Sequence, residues 1–200
     1  MNTSTVGVRD AWGALLALPL NRWFGAIDTT DAGLLRHVQG PVLDVGCGPG
    51  RHVVALAERG IPALGIDVTT GVIDIARRRG ASVMERSVFD RVPGAGRWAT
   101  VLLLDGNIGI GGDPVVLLRR VRSLLRHDGV VIVELEPPWA RAEPQLVRFE
   151  IDGEPGPWFR WSRVTIDDLD ELARASGLVA TRTWCHSRRW FARLTCEAAA

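Results

Sequence analysis

The chain has 200 residues, 46% of them hydrophobic and 24% charged, which suits one domain with a substantial core and leaves too little for a second full one. Its 24 cationic side chains, all arginine, against 23 anionic ones leave a formal net charge of +1, so no overall field favours nucleic acid or an anionic membrane surface. Cysteines at 47, 185 and 196 are odd in number and lack metal-ligand spacing, which argues against a disulfide framework and against a metal site and fits a reducing, cytoplasmic location. The apolar stretch from Ala11 to Leu20 is far short of the roughly 20 residues that span a bilayer, and no small-residue cleavage site follows it.

Residues 1–9 are polar and expected to be frayed. Trp12, Leu15, Leu16, Leu18, Trp23, Phe24 and Ile27 then form two short apolar segments broken at Pro19, which read as short helices. Asp31 is placed to cap a further helix through Leu34, Leu35 and Val38, closed by Gly40. Residues 1–39 therefore read as an N-terminal helical cover. From Pro41 to Val45 an apolar strand leads into Gly46, Gly48 and Gly50, and a helix with Val53, Val54, Leu56 and Ala57 on its buried side follows at once, stopping at Gly60. Ile61 to Ile66 is a second strand ending in Asp67. Thr70 is placed to cap a helix with Val72, Ile73, Ile75 and Ala76 on its buried side and Arg77, Arg78 and Arg79 at its negative end.

Ala81 to Glu85 is a thin third strand, followed by a loop to Arg97. Trp98 to Leu104 is continuously apolar, as a strand buried on both faces should be, and it runs into a second glycine-rich loop from Asp105 to Gly112. Asp113 is a good N-cap and Pro114 a good first helical residue, and Leu117, Leu118, Val121, Leu124 and Leu125 mark a helix ending near residues 126–129. Val130 to Leu135 is a fifth apolar strand. This alternation predicts an α/β fold, a Rossmann-like and mostly parallel sheet with helices on both faces.

The remainder departs from the alternation. Residues 145–151 and 158–163 flank a turn rich in glycine and proline, a hairpin inserted over 137–163. Thr165, Asp167 and Asp168 start the last helix. Leu178 to Trp184 and Trp190 to Glu197 then form a terminal antiparallel pair joined by 185–189. The chain thus divides into a cover (1–39), a cofactor-binding half (40–136), the hairpin (137–163) and a C-terminal helix and strand pair (164–200), within one domain.

In open α/β sheets a glycine-rich turn between a strand and a helix opens the crevice where a nucleotide-like ligand lies, because backbone N–H groups are unobstructed there and face the ligand. A dinucleotide turn has the spacing G-x-G-x-x-G. Here the third position after Gly46 and Gly48 is Arg51, and the spacing is G-x-G-x-G. Val42-Leu43-Asp44-Val45-Gly46-Cys47-Gly48-Pro49-Gly50 resembles the first motif of class I S-adenosylmethionine-dependent methyltransferases, including its acidic residue just before the glycines. The likeness covers about residues 40 to 200 and implies a seven-stranded sheet whose last strand is inserted antiparallel.

The resemblance also implies a cofactor, S-adenosyl-L-methionine, and residues to hold it. Gly46, Cys47, Gly48 and Gly50 would bring backbone close to the methionine portion and the ribose, with Asp44 ordering the amino-acid end. Asp67, followed by Val68, would accept hydrogen bonds from the ribose hydroxyls. Val88 and Phe89 would border the adenine, where many members carry an aspartate at the position of Ser87. Asp105 and Asn107 would lie beside the transferable methyl and are the candidate catalytic residues. Cys47 itself reads as a small packed side chain and His52 as structural.

For the acceptor, the sequence points to a small molecule, since no basic run or recognition domain for nucleic acid appears. Eight tryptophans without a tyrosine make apolar walls plausible in a cleft between the N-terminal segment, the 107–112 loop and the hairpin residues Trp139, Phe149, Trp158, Phe159 and Trp161. Arg182, Arg188, Arg189 and Arg193 could bind an acidic acceptor, but read better as a solvated hairpin end. The alternatives are a non-catalytic binding or scaffolding protein of the same fold and, further off, a nicotinamide oxidoreductase.

Overall fold

The computed structural model describes residues 6–16, 20–140, 144–151 and 153–197. In chain order the elements are β1 (Val6–Asp10), β2 (Leu15–Leu16), α1 (Leu20–Phe24), α2 (Thr29–Leu34), β3 (Val42–Val45), α3 (Arg51–Ala57), β4 (Ala63–Asp67), α4 (Thr70–Arg78) and β5 (Val83–Glu85). They continue with β6 (Trp98–Leu103), α5 (Pro114–Leu124), β7 (Leu125–Leu135), β8 (Pro144–Ile151), β9 (Glu154–Ser162), α6 (Leu169–Ala175), β10 (Leu178–His186) and β11 (Arg189–Cys196).

Seven strands form one sheet in the order β10-β11-β7-β6-β3-β4-β5. Pairing is parallel from β7 through β5, and β11 is inserted antiparallel between β7 and β10. Alternate side chains of the central strands feed opposite faces, as the pleat requires. Leu43, Val45, Val101, Leu103, Val131 and Val133 pack with α5 and α6 residues such as Leu117 and Leu169. On the other face Val42, Leu102, Leu104 and Ile132 pack with Leu34 of α2, Leu56 of α3 and Phe191. Both faces are covered, which is why β6 is buried along its whole length.

A second, four-stranded antiparallel sheet has the order β2-β1-β8-β9. Here the N-terminal reading changes. Val6–Asp10 is a strand, paired with β8 from Val6 opposite Ile151 to Asp10 opposite Val147, so residues 6–9 are ordered sheet. Leu15–Leu16 extends the same sheet as β2, where a helix was expected; Leu18 and Pro19 lie outside the described residues. The inserted hairpin supplies the other strands, so the two ends of this sheet come from distant parts of the chain.

Several boundaries also shift. The N-cap of α2 is Asp28, whose carboxylate accepts the N–H of Asp31, and Asp31 is the third helical residue. Helix α5 ends at Leu124 and β7 begins at Leu125, earlier than the glycine at 129 suggests. Helix α6 begins at Leu169 because the Asp168 carboxylate accepts hydrogen bonds from the Thr165 hydroxyl (2.6 Å) and N–H (3.2 Å), making a turn before the helix. No helix among the described residues is long and apolar enough to cross a membrane.

Candidate functional site

The two glycine-rich loops lie side by side because β3 and β6 are adjacent parallel strands. Gly46 and Cys47 donate their N–H groups to the Ile66 carbonyl at 2.8 and 3.1 Å, which ties the first loop to β4. Asp67, at the end of β4, accepts the Gly48 N–H on Oδ2 at 3.0 Å and the Thr69 N–H on Oδ1 at 2.9 Å. From the second loop, Asn107 Nδ2 donates to the carbonyls of Val45 (2.8 Å) and Gly46 (2.9 Å). Gly46 sits at φ 70° against that amide, and a Cβ there would lie 2.6 Å from Asn107 Nδ2. A side chain at Gly46 is excluded by backbone and neighbour alike.

Beneath the loops lies a buried charge network. Asp31 is fully buried and binds Arg51 on Oδ2, and Arg189 on Oδ1 at 2.7 Å. Arg51 also donates to Asp105 Oδ2 at 2.7 Å, and Arg22 to Asp105 Oδ1 at 2.8 Å. Arg189 closes the ring with a bidentate pair to Glu134, both contacts at 2.8 Å. Glu134 in turn accepts the Asp105 N–H at 2.9 Å. His52 is wedged between two buried carboxylates, its Nε2 3.5 Å from Asp31 and its Nδ1 3.6 Å from Asp44.

Paired charges in a low-dielectric interior hold each other ionised. Burial would push the carboxyls of Asp31 and Asp105 up. For Asp31 the contacts with His52, Arg189 and Arg51 overcome burial, and for Asp105 those with Arg51, His52 and Arg22 do, so both stay below the ordinary carboxylate value. Burial opposes the charge on His52 as well, but the flanking carboxylates of Asp31 and Asp44 raise its pKa to about 9. Burial lowers the Arg189 pKa too, and Glu134 and Asp31 more than offset it, leaving it raised.

Beside this network is a cavity of about 390 Å³, within the range that suits small-molecule ligands. Its aromatic walls are Trp23 of α1 and Phe159 and Trp161 of β9, the last two edge-to-face with centroids 6.1 Å apart. Val8 of β1 and Val147 of β8 complete the apolar side, and Asp105, Gly106 and Ile108 form the side shared with the second glycine loop. Strand β9 is fastened to that loop by the Ile110–Trp161 bridge and by the Ser162 hydroxyl, which donates to the Gly112 carbonyl at 2.8 Å.

The match to known families follows this geometry. Residues 42–129, from β3 into the start of β7, match the family model described as a methyltransferase domain. The chain superposes on a Bacteroides fragilis S-adenosylmethionine-dependent methyltransferase in complex with S-adenosyl-L-homocysteine with a TM-score of 0.81, at 23% identity over 96% of this chain and 88% of that one. A methyltransferase domain is thus matched over residues 42–129, and the fold is that of class I S-adenosylmethionine-dependent methyltransferases. The Burkholderia thailandensis 1,6-didemethyltoxoflavin-N1-methyltransferase shares the fold with a TM-score of 0.60, at 20% identity over 84% of this chain and 76% of that one. An uncharacterised Mycobacterium tuberculosis protein is 31% identical over 165 residues, 80% of this chain and 54% of that protein. The chain therefore spans about half the length of this mycobacterial relative.

Within this methyltransferase fold the residues singled out by sequence separate into groups. Gly46, Gly48 and Asp67 converge on the first loop; Val68 (66% exposed) follows Asp67, Phe89 (43% exposed) lies beside Gly111 of the second loop, and Val88 is buried. Gly50 caps α3 and packs against Ala76 and Ala81. The Cys47 side chain is buried against Gly65 and Val53, and burial raises its thiol pKa, so only its backbone belongs to the loop surface. Asp44 is 1% exposed and faces His52. Asn107 spends its amide on the first loop's carbonyls, and both carboxylate oxygens of Asp105 are engaged by guanidinium groups.

In the cleft, Phe159 and Trp161 line the cavity as expected. Trp139 instead is 71% exposed and packs edge-on against Trp190, Trp158 lies under the Arg148 guanidinium, and the Phe149 side chain lies outside the described ones. Arg22, Arg51 and Glu134 carry the network without a role read from the sequence, while the sequence places Asp31 as a helix cap and Arg189 at a solvated hairpin end. Only Arg51, next to the motif, offered a local signal.

Proposed function

We propose that this chain is a methyltransferase that uses S-adenosyl-L-methionine and acts on a small molecule held in the cavity beside Asp105. The observation that carries the reading is the cradle at Gly48. Its φ is 52°, a Cβ there would meet nothing within 4 Å, and its N–H is oriented by Asp67. Open backbone next to a carboxylate with no side chain in the way fits a ribose and an amino-acid tail better than it fits a packed turn.

When bound, S-adenosyl-L-methionine supplies a sulfonium methyl group that an acceptor nucleophile displaces in line. Asp67 is positioned to accept hydrogen bonds from ribose hydroxyls, Gly46, Cys47, Gly48 and Gly50 to present backbone, and Asp44 to order the amino-acid end through the loop it precedes. Val68, Val88 and Phe89 border the adenine in this reading. Asp105, held low by arginines, acts as an orienting carboxylate and is a poor proton acceptor at neutral pH. Asn107 acts by locking the loops. The chain's own contribution is then positioning and exclusion of water, which suits an acceptor that is already nucleophilic.

The aromatic walls and modest volume of the cavity support a small acceptor, as does the named substrate of the Burkholderia thailandensis neighbour. The reading treats the chain as one domain whose N-terminal strands and inserted hairpin together cover the acceptor end, and its three free cysteines fit a cytoplasmic enzyme. Calorimetry with S-adenosyl-L-methionine and S-adenosyl-L-homocysteine tests it. Both should bind the folded protein, and Asp67→Ala should lose that binding; a folded, ligand-free sample that binds neither sinks the proposal.

A further inference from the structure

We propose that the cavity selects a flat, largely apolar molecule carrying an anionic oxygen, a carboxylate in the simplest case, and that Arg188 is the residue that holds this anion. The inference rests on reading the cavity as the acceptor site and adds the chemical class of the acceptor. Four arginines and three carboxylates line the cavity. Each carboxylate is already matched: Asp105 with Arg22 at 2.8 Å, Glu134 with Arg189 at 2.8 Å, and Glu136 with Arg163 at 3.0 Å. Arg188 is left over, exposed and without an ion pair or hydrogen bond to any described residue.

The remaining unpaired polar groups of the wall point the same way. The Trp23 indole N–H and Arg22 Nε are buried donors with no acceptor among the described residues, whereas no lining carboxylate lacks a cation. A wall with donors to spare and its acceptors spent is complementary to an oxygen-rich anion and hostile to an ammonium ion. The backbone supports Arg188 in this role. It occupies the second position of the two-residue turn between β10 and β11 at φ 63°, next to Arg189, which the buried network fixes to Glu134 and Asp31. The turn is therefore anchored from one side while Arg188 stays available on the other. Trp23, Phe159 and Trp161 supply the apolar faces for the body of the ligand.

The test uses the full chain and three probes of the same shape: 2-naphthoate, 2-naphthamide and 2-naphthylamine, titrated against intrinsic tryptophan fluorescence. The naphthoate should bind about tenfold more tightly than the amide or the amine, and Arg188→Gln should bring the three within about twofold of one another. Arg188 lies in an exposed turn, and an unchanged circular-dichroism spectrum verifies that the variant folds. Equal binding of the probes, tighter binding of the amine, no binding by any of them, or a preference that survives Arg188→Gln overturns the proposal. S-Adenosyl-L-homocysteine calorimetry on the same sample separates the two readings. A naphthoate preference without cofactor binding removes the methyltransferase reading alone, and cofactor binding without the preference removes the anion site alone.

Discussion

Asn107 and Gly46 form a lock between the two glycine loops: the Asn107 amide donates to the Val45 and Gly46 carbonyls, and the space a Gly46 side chain needs is the space that amide fills. Gly46→Ala therefore collides with Asn107 at a left-handed backbone position, while Asn107→Ala strips two partly buried carbonyls of their donor. Each single variant is expected to cost roughly 1–3 kcal/mol in urea unfolding. The double variant removes the collision along with the amide, so its cost should fall measurably below the sum of the two. Strict additivity would show that the contact is not what excludes a side chain at Gly46.

Gly48 separates ligand binding from folding. A methyl group there meets no atom of the protein, so Gly48→Ala should lose only the about 1 kcal/mol expected of alanine held at a positive φ. The same methyl would stand in the proposed cofactor cradle. S-Adenosyl-L-homocysteine affinity should drop at least about tenfold, with the melting temperature little changed. A variant that binds normally would remove Gly48 from the contact surface.

The central sheet was legible because its signals are local. Largely apolar runs at β3, β6 and β7, the first two followed by a turn and a helical pattern, are what a strand buried on both faces looks like in one dimension, and the glycines at 46, 48 and 50 sit where the first run stops. The network beneath them was not legible. Arg51 and Asp31 are 20 residues apart, Arg51 and Asp105 54, and Asp31 and Arg189 158, and no periodicity relates them. Arg189 reads as solvated because it adjoins an exposed turn; the short two-residue connection instead places it at the first position of β11, where it pairs with Glu134 of β7. Strand β1 escaped detection for a similar reason. Val-Gly-Val-Arg-Asp is too short and too mixed to declare itself, and its partner β8 lies 141 residues on, as the Arg9–Glu150 ion pair shows.

Asp31 is the member of the network whose loss should cost most. It is fully buried and neutralises Arg51 and Arg189 while facing His52. Asp31→Ala leaves Arg51 hydrogen-bonded to Asp105 alone and Arg189 to Glu134 alone, so the buried network carries one positive charge without a counter-ion, and a cost of about 3–5 kcal/mol in urea unfolding is expected. The exposed i,i+3 pair Asp74–Arg77, with a contact of 3.0 Å, provides the contrast: Asp74→Ala should cost less than about 1 kcal/mol. Comparable losses in the two variants would mean that the buried ring adds nothing beyond an ordinary surface pair.

His52 makes the stability of this fold depend on pH on the alkaline side. Its pKa rises from an ordinary 6.5 to about 9 in the folded protein because the Asp31 and Asp44 carboxylates outweigh burial and the opposing charge of Arg51. A raised folded pKa means that the folded state keeps the proton over a range where the unfolded chain has released it. The stabilisation is then complete below pH 6.5 and is lost as pH climbs through about 9. Between these values the unfolding free energy should fall by up to about 1.4 kcal/mol per pH unit. His52→Gln has no proton to lose there and should give a profile flat over the same window, from a lower starting stability. Asp31 works at the opposite end: its carboxyl, held below the ordinary 3.8 chiefly by His52 and the two arginines against burial, contributes above that value and loses its contribution as acid protonates it. Urea titrations at half-unit steps measure both limbs. A wild-type profile that is already flat from pH 6.5 to 9 would show that the imidazole between Asp31 and Asp44 is not the charged partner its surroundings favour.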